Sequence, residues 1–277
     1  MMTWSLIDLT MAVVAMLGAG LLAGFAAGLF GIGGGFVVVP ALFSTLHFLG
    51  GDVASRPHVA IGTSLATIIF TSIRSVQAHA RRGAVDFEIL RSWAPWIVLG
   101  VGAGVVLAYF VDGRVMAMTF AIGVALMSLH FFFPVLSKRQ LSDEMPTGVT
   151  RASLAGGLGT LSSLLGIGGG TIAVIVMTLC GRSIHRAIAT AAGVGFIISV
   201  PGAIGFALIG IGEHHLPLGS VGYVNLIAAV AISAMSMLTA PLGASAAHAL
   251  PAPLLKRLFA IYLMIVATLM FRDALTM

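Results

Sequence analysis

The sequence contains few charged residues. Asp, Glu, Lys and Arg make up 8% of its 277 residues, against roughly 25% in a typical soluble domain. Hydrophobic residues make up 59%, and the mean hydropathy is +1.10. The longest stretch rich in polar residues runs only from about Ser137 to Arg151. This composition excludes a soluble domain and predicts one integral membrane domain.

Cysteine and buried acidic residues are also scarce. Cys180 is the single cysteine, which excludes an internal disulfide and a multi-cysteine metal site; no metal and no cofactor is predicted. All nine acidic residues fall in predicted loops or at segment ends, so proton or sodium coupling through an intramembrane carboxylate has no candidate. An anion pathway therefore fits better than a cation pathway. The nine are Asp8, Asp52, Asp86, Glu88, Asp112, Asp143, Glu144, Glu213 and Asp273.

Ten apolar segments are long enough to cross or deeply enter a bilayer, given about 20 residues per spanning helix. The first residues lack the basic region and clear cleavage site of a signal peptide, so the first segment is expected to stay in the membrane. Five segments lie at about 10–30, 33–49, 58–80, 92–111 and 114–135, and five at about 149–165, 169–181, 184–211, 219–248 and 254–271.

The two sets of five segments resemble each other. Three stretches recur in the same order: Gly31 to Gly35 as Gly166 to Gly170, His58 to Thr63 as His185 to Thr190, and Thr119 to Gly123 as Leu258 to Tyr262. The main difference is eight extra residues in the first half, around Gly50-Gly51-Asp52. A duplicated unit with an odd number of segments must insert upside down relative to its copy.

The predicted fold class is therefore an all-α integral membrane protein of two inverted five-segment repeats, with glycine-broken helices flanking a central site. The repeats cover residues 1–136 and 149–277, and residues 137–148 form a cytoplasmic linker. Together they form one transport domain. The two segments flanking each glycine motif are either two full crossings or one re-entrant hairpin.

The basic residues predict the orientation, because cytoplasmic loops collect Lys and Arg. Placing both termini outside the cell inner membrane leaves only Arg56, Arg114 and Arg272 on the outer side. The net charge of +5 then marks cytoplasmic loops rather than a nucleic-acid partner. The expected partners are a small anionic substrate and the lipid bilayer, and a homo-oligomer is left open. The inner-side residues are Arg74, Arg81, Arg82, Arg91, Lys138, Arg139, Arg151, Arg182, Arg186, Lys256 and Arg257.

The two glycine motifs are the strongest candidates for a binding site. Three consecutive glycines destabilise a helix and leave backbone N–H groups uncovered beside the next helix N-terminus, an arrangement that binds anions. The alternative is tight helix packing, as the four-residue spacing of Gly20, Gly24 and Gly28 indicates. Packing needs one glycine per turn, so it explains a triplet less well. The predicted substrate-binding glycines are Gly33, Gly34, Gly35, Gly168, Gly169 and Gly170.

His58 and His185 mark two predicted helix N-termini that face the centre from opposite sides. Pro57 suits a first helical position, and Ser55 and Ser183 are predicted caps. Each histidine either hydrogen-bonds at a helix end or takes part in gating or proton traffic.

The helix after His58 carries polar residues on one face, which lipid would not tolerate. Ser64, Thr67, Thr71, Arg74 and Ser75 are therefore expected to point inward. Arg74 either anchors a lipid headgroup or attracts an anionic substrate. The corresponding stripe of the second half is apolar, with Val194, Ile198 and Pro201 opposite Thr67, Thr71 and Arg74. Weaker polar candidates are Gln77, Asn225, Ser162, Ser163 and Thr171.

The two Gly-Ile-Gly-Gly-Gly motifs, with the stretch from His58 to Ser64 downstream of the first, resemble the TauE/SafE family of sulfite exporters over nearly the whole chain. The resemblance implies an inner-membrane permease that moves sulfite, sulfoacetate or other organosulfonates, usually outward. It implies a substrate surrounded by the six motif glycines, with Thr63, Ser64 and Thr190 nearby. The second half has Ala191 opposite Ser64, which argues against two equal sites.

Three other functions are compatible with the sequence. The first is an uptake permease for a sulfur compound, because direction is invisible in the sequence. The second is an intramembrane hydrolase using Ser64 or Ser245 with a histidine, although His248 follows Ser245 by only three residues on one helix. The third is a structural subunit, which an inward polar stripe and broken helices disfavour, because both features cost stability in lipid.

Overall fold

The computed structural model describes residues 6–30, 33–133, 142–249 and 252–276. Gly31, Ile32, Lys138 and Arg139, which entered the predictions above, lie outside these ranges, as do the side chains of Asp8, His248 and Lys256. The described helices are α1 Leu6–Phe30, α2 Gly35–Thr45, α3 Arg56–Ala80, α4 Phe87–Phe110, α5 Gly113–Phe132, α6 Gly148–Leu164, α7 Gly170–Leu179, α8 Ile184–Ile209, α9 Leu226–Ala249 and α10 Ala252–Thr276.

Seven of these helices are long and apolar enough to cross a membrane, namely α1, α3, α4, α5, α8, α9 and α10. The protein is thus a multi-pass membrane protein. Helix α2 has 11 residues and α7 has 10, which at 1.5 Å per residue gives only about 15 Å, half of the hydrocarbon core. A short 3₁₀ turn, Leu46–Leu49, extends α2.

Two local predictions are wrong. Residues 219–225 were expected to begin a helix, but Ser220–Val221 and Val224–Asn225 form a two-stranded antiparallel hairpin, β1 and β2. Gly219 and Gly222, both with positive φ, permit its turns. Ser55 and Ser183 precede α3 and α8 as expected, but neither side chain caps its helix. The Ser55 hydroxyl instead donates to the carbonyl of Asp52.

The predicted close approach of α1 through its spaced glycines is confirmed. A Cβ atom on Gly20 would lie 2.6 Å from the carbonyl oxygen of Ile232, and one on Gly28 would lie 2.6 Å from the backbone nitrogen of Ala244. Gly24 meets the backbone of Ser236 in the same way. All three partners belong to α9, so α1 packs backbone to backbone against that helix.

Most of the extensive helix contacts recur when the first five helices are exchanged with the second five, although the contact of α1 with α2 has no equally extensive equivalent between the described residues of α6 and α7. Helix α1 packs on α9, and α6 packs on α4; α3 packs on α9, and α8 packs on α4. Helix α2 packs on α3, as α7 packs on α8, while α3 contacts α8 and α5 contacts α10. The long helices α1, α3, α6 and α8 therefore each pack on a helix of the other half.

The extra residues of the first half pack against the loop between α8 and α9. The N–H of Asp52 donates to the carbonyl of His215 at 2.8 Å, and the N–H of Leu218 donates to the carbonyl of Leu49 at 2.9 Å. Gly51 lies against Pro217. The insertion is thus held by backbone hydrogen bonds to the loop that joins α8 to α9.

We expect Ser128→Ala to lower the free energy of unfolding by about 1 kcal/mol. The Ser128 hydroxyl is fully buried and donates to the carbonyl of Ala260, 2.8 Å away, across the α5–α10 contact. Ser92→Ala is the matched control, because Ser92 bonds only to Ile89 of its own helix. Thermal unfolding in detergent measures the difference, and equal melting temperatures for the two variants would contradict it.

Candidate functional site

Each glycine motif lies directly before a short helix, and the first motif turns the chain so that α2 packs on α1. Gly34 has φ 80° and Gly169 has φ 64°, left-handed conformations that favour glycine, and each immediately precedes a short helix. A Cβ on Gly34 would lie 2.7 Å from the carbonyl oxygen of Ala23 in α1, and one on Gly169 would lie 3.1 Å from Cδ2 of Leu158 in α6. Both short helices therefore begin close to a preceding long helix.

The two motifs meet each other inside the protein. A Cβ on Gly33 would lie 3.4 Å from the Cα of Gly168, and Gly35 abuts the carbonyl oxygen of Gly166. The same contact involves Ile68 of α3 and Gly195 of α8, both near the midpoints of their helices. The motifs thus lie together, at the level of the centres of α3 and α8.

The polar stripe of α3 is buried except at Arg74. Ser64, Thr67, Thr71 and Ser75 are almost fully buried, whereas Arg74 is exposed. The Ser64 hydroxyl donates to the carbonyl of Gly166 at 2.7 Å, in the second motif. Thr67 bonds to the carbonyl of Ser64, and the Thr71 hydroxyl lies 2.9 Å from that of Ser236 in α9. Arg74 therefore does not join the inward stripe, and its exposed position suits a headgroup anchor.

Thr63 and Thr190 hold the starts of α9 and α4. The N–H of Asn225 donates to Thr63 Oγ1 at 2.8 Å, and the N–H of Asp86 donates to Thr190 Oγ1 at 2.9 Å. Asn225 Oδ1 accepts from the N–H of Ala228, and Asp86 Oδ1 accepts from the N–H of Ile89. Each threonine oxygen thus accepts a hydrogen bond from a helix cap that belongs to the other half.

The two landmark histidines have different surroundings. His58 is buried, with Nε2 3.1 Å from the carbonyl oxygen of Ala108, and its ring stacks on Tyr223 with centroids 4.9 Å apart. Burial and the nearby Glu213 carboxylate raise the pKa of Tyr223 to about 12, so Tyr223 is neutral at pH 7. His185 is exposed. The equivalent histidines of the two halves therefore lie in different environments, one buried and one exposed.

Buried polar side chains in the described part of the chain are Ser, Thr, His and Asn, and no Asp, Glu, Lys or Arg is among them. Most buried hydroxyls bond within their own helix or to a neighbour. Among the described residues, those of Ser72, Ser75, Ser162, Thr171 and Ser233 have no hydrogen-bond partner. The interior therefore offers uncharged donors, some of which are available.

Comparison with known proteins gives one family over most of the chain. The family described as "Sulfite exporter TauE/SafE" matches residues 16–270. The chain belongs to this family. A probable membrane transporter protein of Haemophilus influenzae is 37% identical over 254 residues, which cover 91% of this chain and 95% of that protein.

Two further relatives of this TauE/SafE chain are more distant. The probable membrane transporter protein YunE of Bacillus subtilis is 29% identical over 224 residues, covering 72% of this chain and 80% of YunE. The probable membrane transporter protein MJ0441 of Methanocaldococcus jannaschii is 26% identical over 234 residues, covering 80% and 79% of the two chains. No solved structure matches. The family and these relatives identify a membrane transporter.

The hydrolase alternative gains no support from the geometry of Ser245. Its hydroxyl donates to the carbonyl of Pro241 in its own helix and lies 3.3 Å from Nη2 of Arg82. The side chain of His248 lies outside the described residues. Ser64, the other nucleophile considered, donates its proton to the Gly166 carbonyl. The family and relative names indicate a transporter rather than an enzyme.

Proposed function

We propose that this protein exports a small sulfur-containing anion, such as sulfite or an organosulfonate, across the cell inner membrane. The transport unit is two inverted repeats, residues 1–136 and 149–277, joined by residues 137–148, with both termini outside. Substrate binds near mid-membrane at the breaks between α1 and α2 and between α6 and α7. Access alternates between the two sides of the membrane.

The contact between the two glycine motifs carries the proposal. Gly33 and Gly168 touch at the midpoints of α3 and α8, and the paired contacts of the two halves suit inverted repeats. The short helices α2 and α7 then start close to each other, and the N–H groups of their first turns, which have no partner within the helix, are close together. Uncovered helix N-termini favour anions, since the helix dipole is positive at that end.

The driving force follows from the absence of charge in the described interior. A carboxylate that could bind a coupling proton or sodium ion is absent from the buried residues that the structure describes. A negative cell interior helps expel an anion by about 2.3 kcal/mol per charge for each 100 mV. Export driven by the membrane potential therefore needs no coupled ion.

We expect purified protein in liposomes to move sulfite toward the positive side of an imposed potassium-diffusion potential. The flux should rise with the potential and be unchanged by a proton or sodium gradient of either sign. Liposomes without protein, and liposomes with the Gly102→Val variant, whose exposed glycine has no neighbour within 4 Å, are the two controls.

Strict dependence on a proton or sodium gradient would contradict potential-driven export. Accumulation of substrate against the potential, driven by such a gradient, would favour the uptake permease instead. Absence of flux for sulfite, thiosulfate, sulfoacetate and taurine would contradict a sulfur-anion substrate.

A further inference from the structure

We propose that the anion site is asymmetric: it lies at the start of α7 and is formed by the second glycine motif with the hydroxyls of Ser72, Ser162 and Thr171. This inference rests on the proposed anion transport and specifies which residues bind. The first motif packs against the second and contributes no hydroxyl to the anion.

The three hydroxyls are buried and unused. Ser72 is 1% exposed, Ser162 is 0% exposed and Thr171 is 5% exposed, and none bonds to another described residue. Serine and threonine in a membrane helix ordinarily donate to the carbonyl three or four residues earlier, as Thr67, Thr160, Thr178 and Ser199 do here. A buried polar group without a partner is costly, so these three are expected to bind a ligand.

The hydroxyls approach one short stretch of backbone. A Cβ on Gly169 would lie 2.7 Å from Ser162 Oγ, and a Cβ on Gly195 would lie 2.7 Å from Ser72 Oγ and 3.5 Å from the carbonyl oxygen of Gly168. Thr171 is the second residue of α7. Hydroxyl-bearing residues of α3, α6 and α7 thus lie near the first turn of α7, where the N–H groups have no partner within the helix.

The first motif lacks an unbonded hydroxyl at each of the three equivalent positions. Aligning Gly31 with Gly166 pairs Ser162 with Ala27 and Thr171 with Phe36, both buried and apolar. Aligning His58 with His185 pairs Ser72 with Ser199, whose hydroxyl donates to the carbonyl of Phe196.

The space beside the two motifs also differs. The alignment that pairs Ser72 with Ser199 pairs Gly195 with Ile68. Beside Gly33 stands the side chain of Ile68, whose Cγ2 would lie 3.0 Å from a Cβ on Gly33. Beside Gly168 stand Gly195, which has no side chain, and the same Ile68, whose Cγ2 would lie 3.4 Å from a Cβ on Gly168. Ile68 therefore borders both motifs, and the second motif differs in having a glycine, Gly195, and unbonded hydroxyls beside it.

The chemistry of the site selects the charge of the anion. Its donors are hydroxyls and backbone N–H groups, and the nearest atoms around Gly168, Gly169 and Gly195 belong to apolar, hydroxyl or backbone groups. The cost of removing an ion from water rises with the square of its charge, and uncharged donors compensate only part of it. The site therefore suits a singly charged oxyanion, a sulfonate or hydrogensulfite, over a doubly charged one such as sulfate.

Calorimetric titration of the purified full-length protein with methanesulfonate tests the assignment. We expect Ser162→Ala and Thr171→Val each to weaken binding at least tenfold, and Ser72→Ala to do the same. The matched controls are Ser199→Ala and Thr178→Val, whose hydroxyls are bonded within their own helices, and these should bind as the wild type does. Thermal unfolding of every variant reports whether it is folded.

The outcomes separate the two proposals. Wild-type binding of methanesulfonate at least tenfold tighter than sulfate, with the three variants impaired, supports the asymmetric site. Binding that all three folded variants retain, or that Ser199→Ala weakens equally, overturns it while anion transport stands. Tighter binding of sulfate overturns the selection of a monoanion. Absence of binding and of flux for every sulfur anion in the wild type overturns both proposals.

Discussion

Gly35→Val is expected to separate the two glycine motifs and to reduce anion flux in liposomes to less than about a tenth of the wild-type rate. The added Cβ would overlap the carbonyl oxygen of Gly166 and lie 2.9 Å from the Cα of Ile167. Both are backbone atoms, which cannot move aside as a side-chain tip can. Overpacking of this kind costs about 3 kcal/mol, so a lower melting temperature should accompany the loss of flux.

Gly102→Val in α4 is the matched control for this substitution. Gly102 is exposed and a Cβ there meets no atom within 4 Å, so both flux and melting temperature should match the wild type. Gly35→Ala adds the Cβ alone and should fall between the two. Wild-type flux in Gly35→Val would show that the close contact of the motifs is not needed for transport.

Thr63→Val and Thr190→Val are expected to destabilise the protein. Each substitution removes the oxygen that accepts a hydrogen bond from the N–H of a helix-capping residue, Asn225 or Asp86. Loss of the Thr63 hydroxyl leaves the buried N–H of Asn225 unpaired, at a cost of about 2 kcal/mol. Asp86 is only half-buried, so Thr190→Val should cost about 1 kcal/mol. The sites are on different helices, and the double variant should lose roughly the sum.

The serine variants Thr63→Ser and Thr190→Ser keep the accepting oxygen and remove only a methyl group. Chemical unfolding of the four single variants and of the valine double variant in detergent measures the differences. If the valine and serine variants unfold at the same denaturant concentration, the two hydrogen bonds do not stabilise the starts of α4 and α9.

Hydropathy alone predicts the membrane segments well, because a run of about 20 apolar residues matches the length that a helix needs to cross the hydrocarbon core. It does not predict the hairpin at residues 220–225, since two strands of two residues each are too short to show a period of two. The helix predicted from residue 219 therefore starts too early, and the sequence does not identify Asn225 as the cap of α9. Asn225 was a weak candidate from its polarity alone, and its role depends on Thr63, which is distant in sequence.

The buried face of α3 was predicted only approximately. Ten residues at about 100° each place Arg74 about 80° from Ser64 on the helix wheel, and Ser72 lies about 80° away on the other side. Both residues lie at the edges of the polar face of α3, and a helical wheel does not show which edge packs against another helix. The structure buries the edge with Ser72, where α3 meets Gly195 of α8, and exposes the edge with Arg74. The stripe predicted from the sequence therefore lacks the buried Ser72 and includes the exposed Arg74.

The roles of the repeated motifs were partly accessible from the sequence. The repeated glycines were recognised because triplets are rare in helices, and Thr63 and Thr190 because they recur in aligned positions. Repetition reveals that two positions are equivalent, but it does not reveal that a hydroxyl is already bonded. In the structure, Thr190 accepts a hydrogen bond from the N–H of Asp86, whereas the hydroxyl of Thr171 has no described partner. The sequence does not distinguish these two threonines.

The exchange of packing partners between the halves has a consequence for biosynthesis. Because the chain is made from its N-terminus, α1 enters the bilayer long before α9, the helix that covers Gly20, Gly24 and Gly28. Until then the glycine face of α1 lacks the helix that covers it. The first five helices therefore cannot mature as an independent unit. Assembly must await most of the second half, and a chain truncated before α9 should be a substrate for membrane quality control.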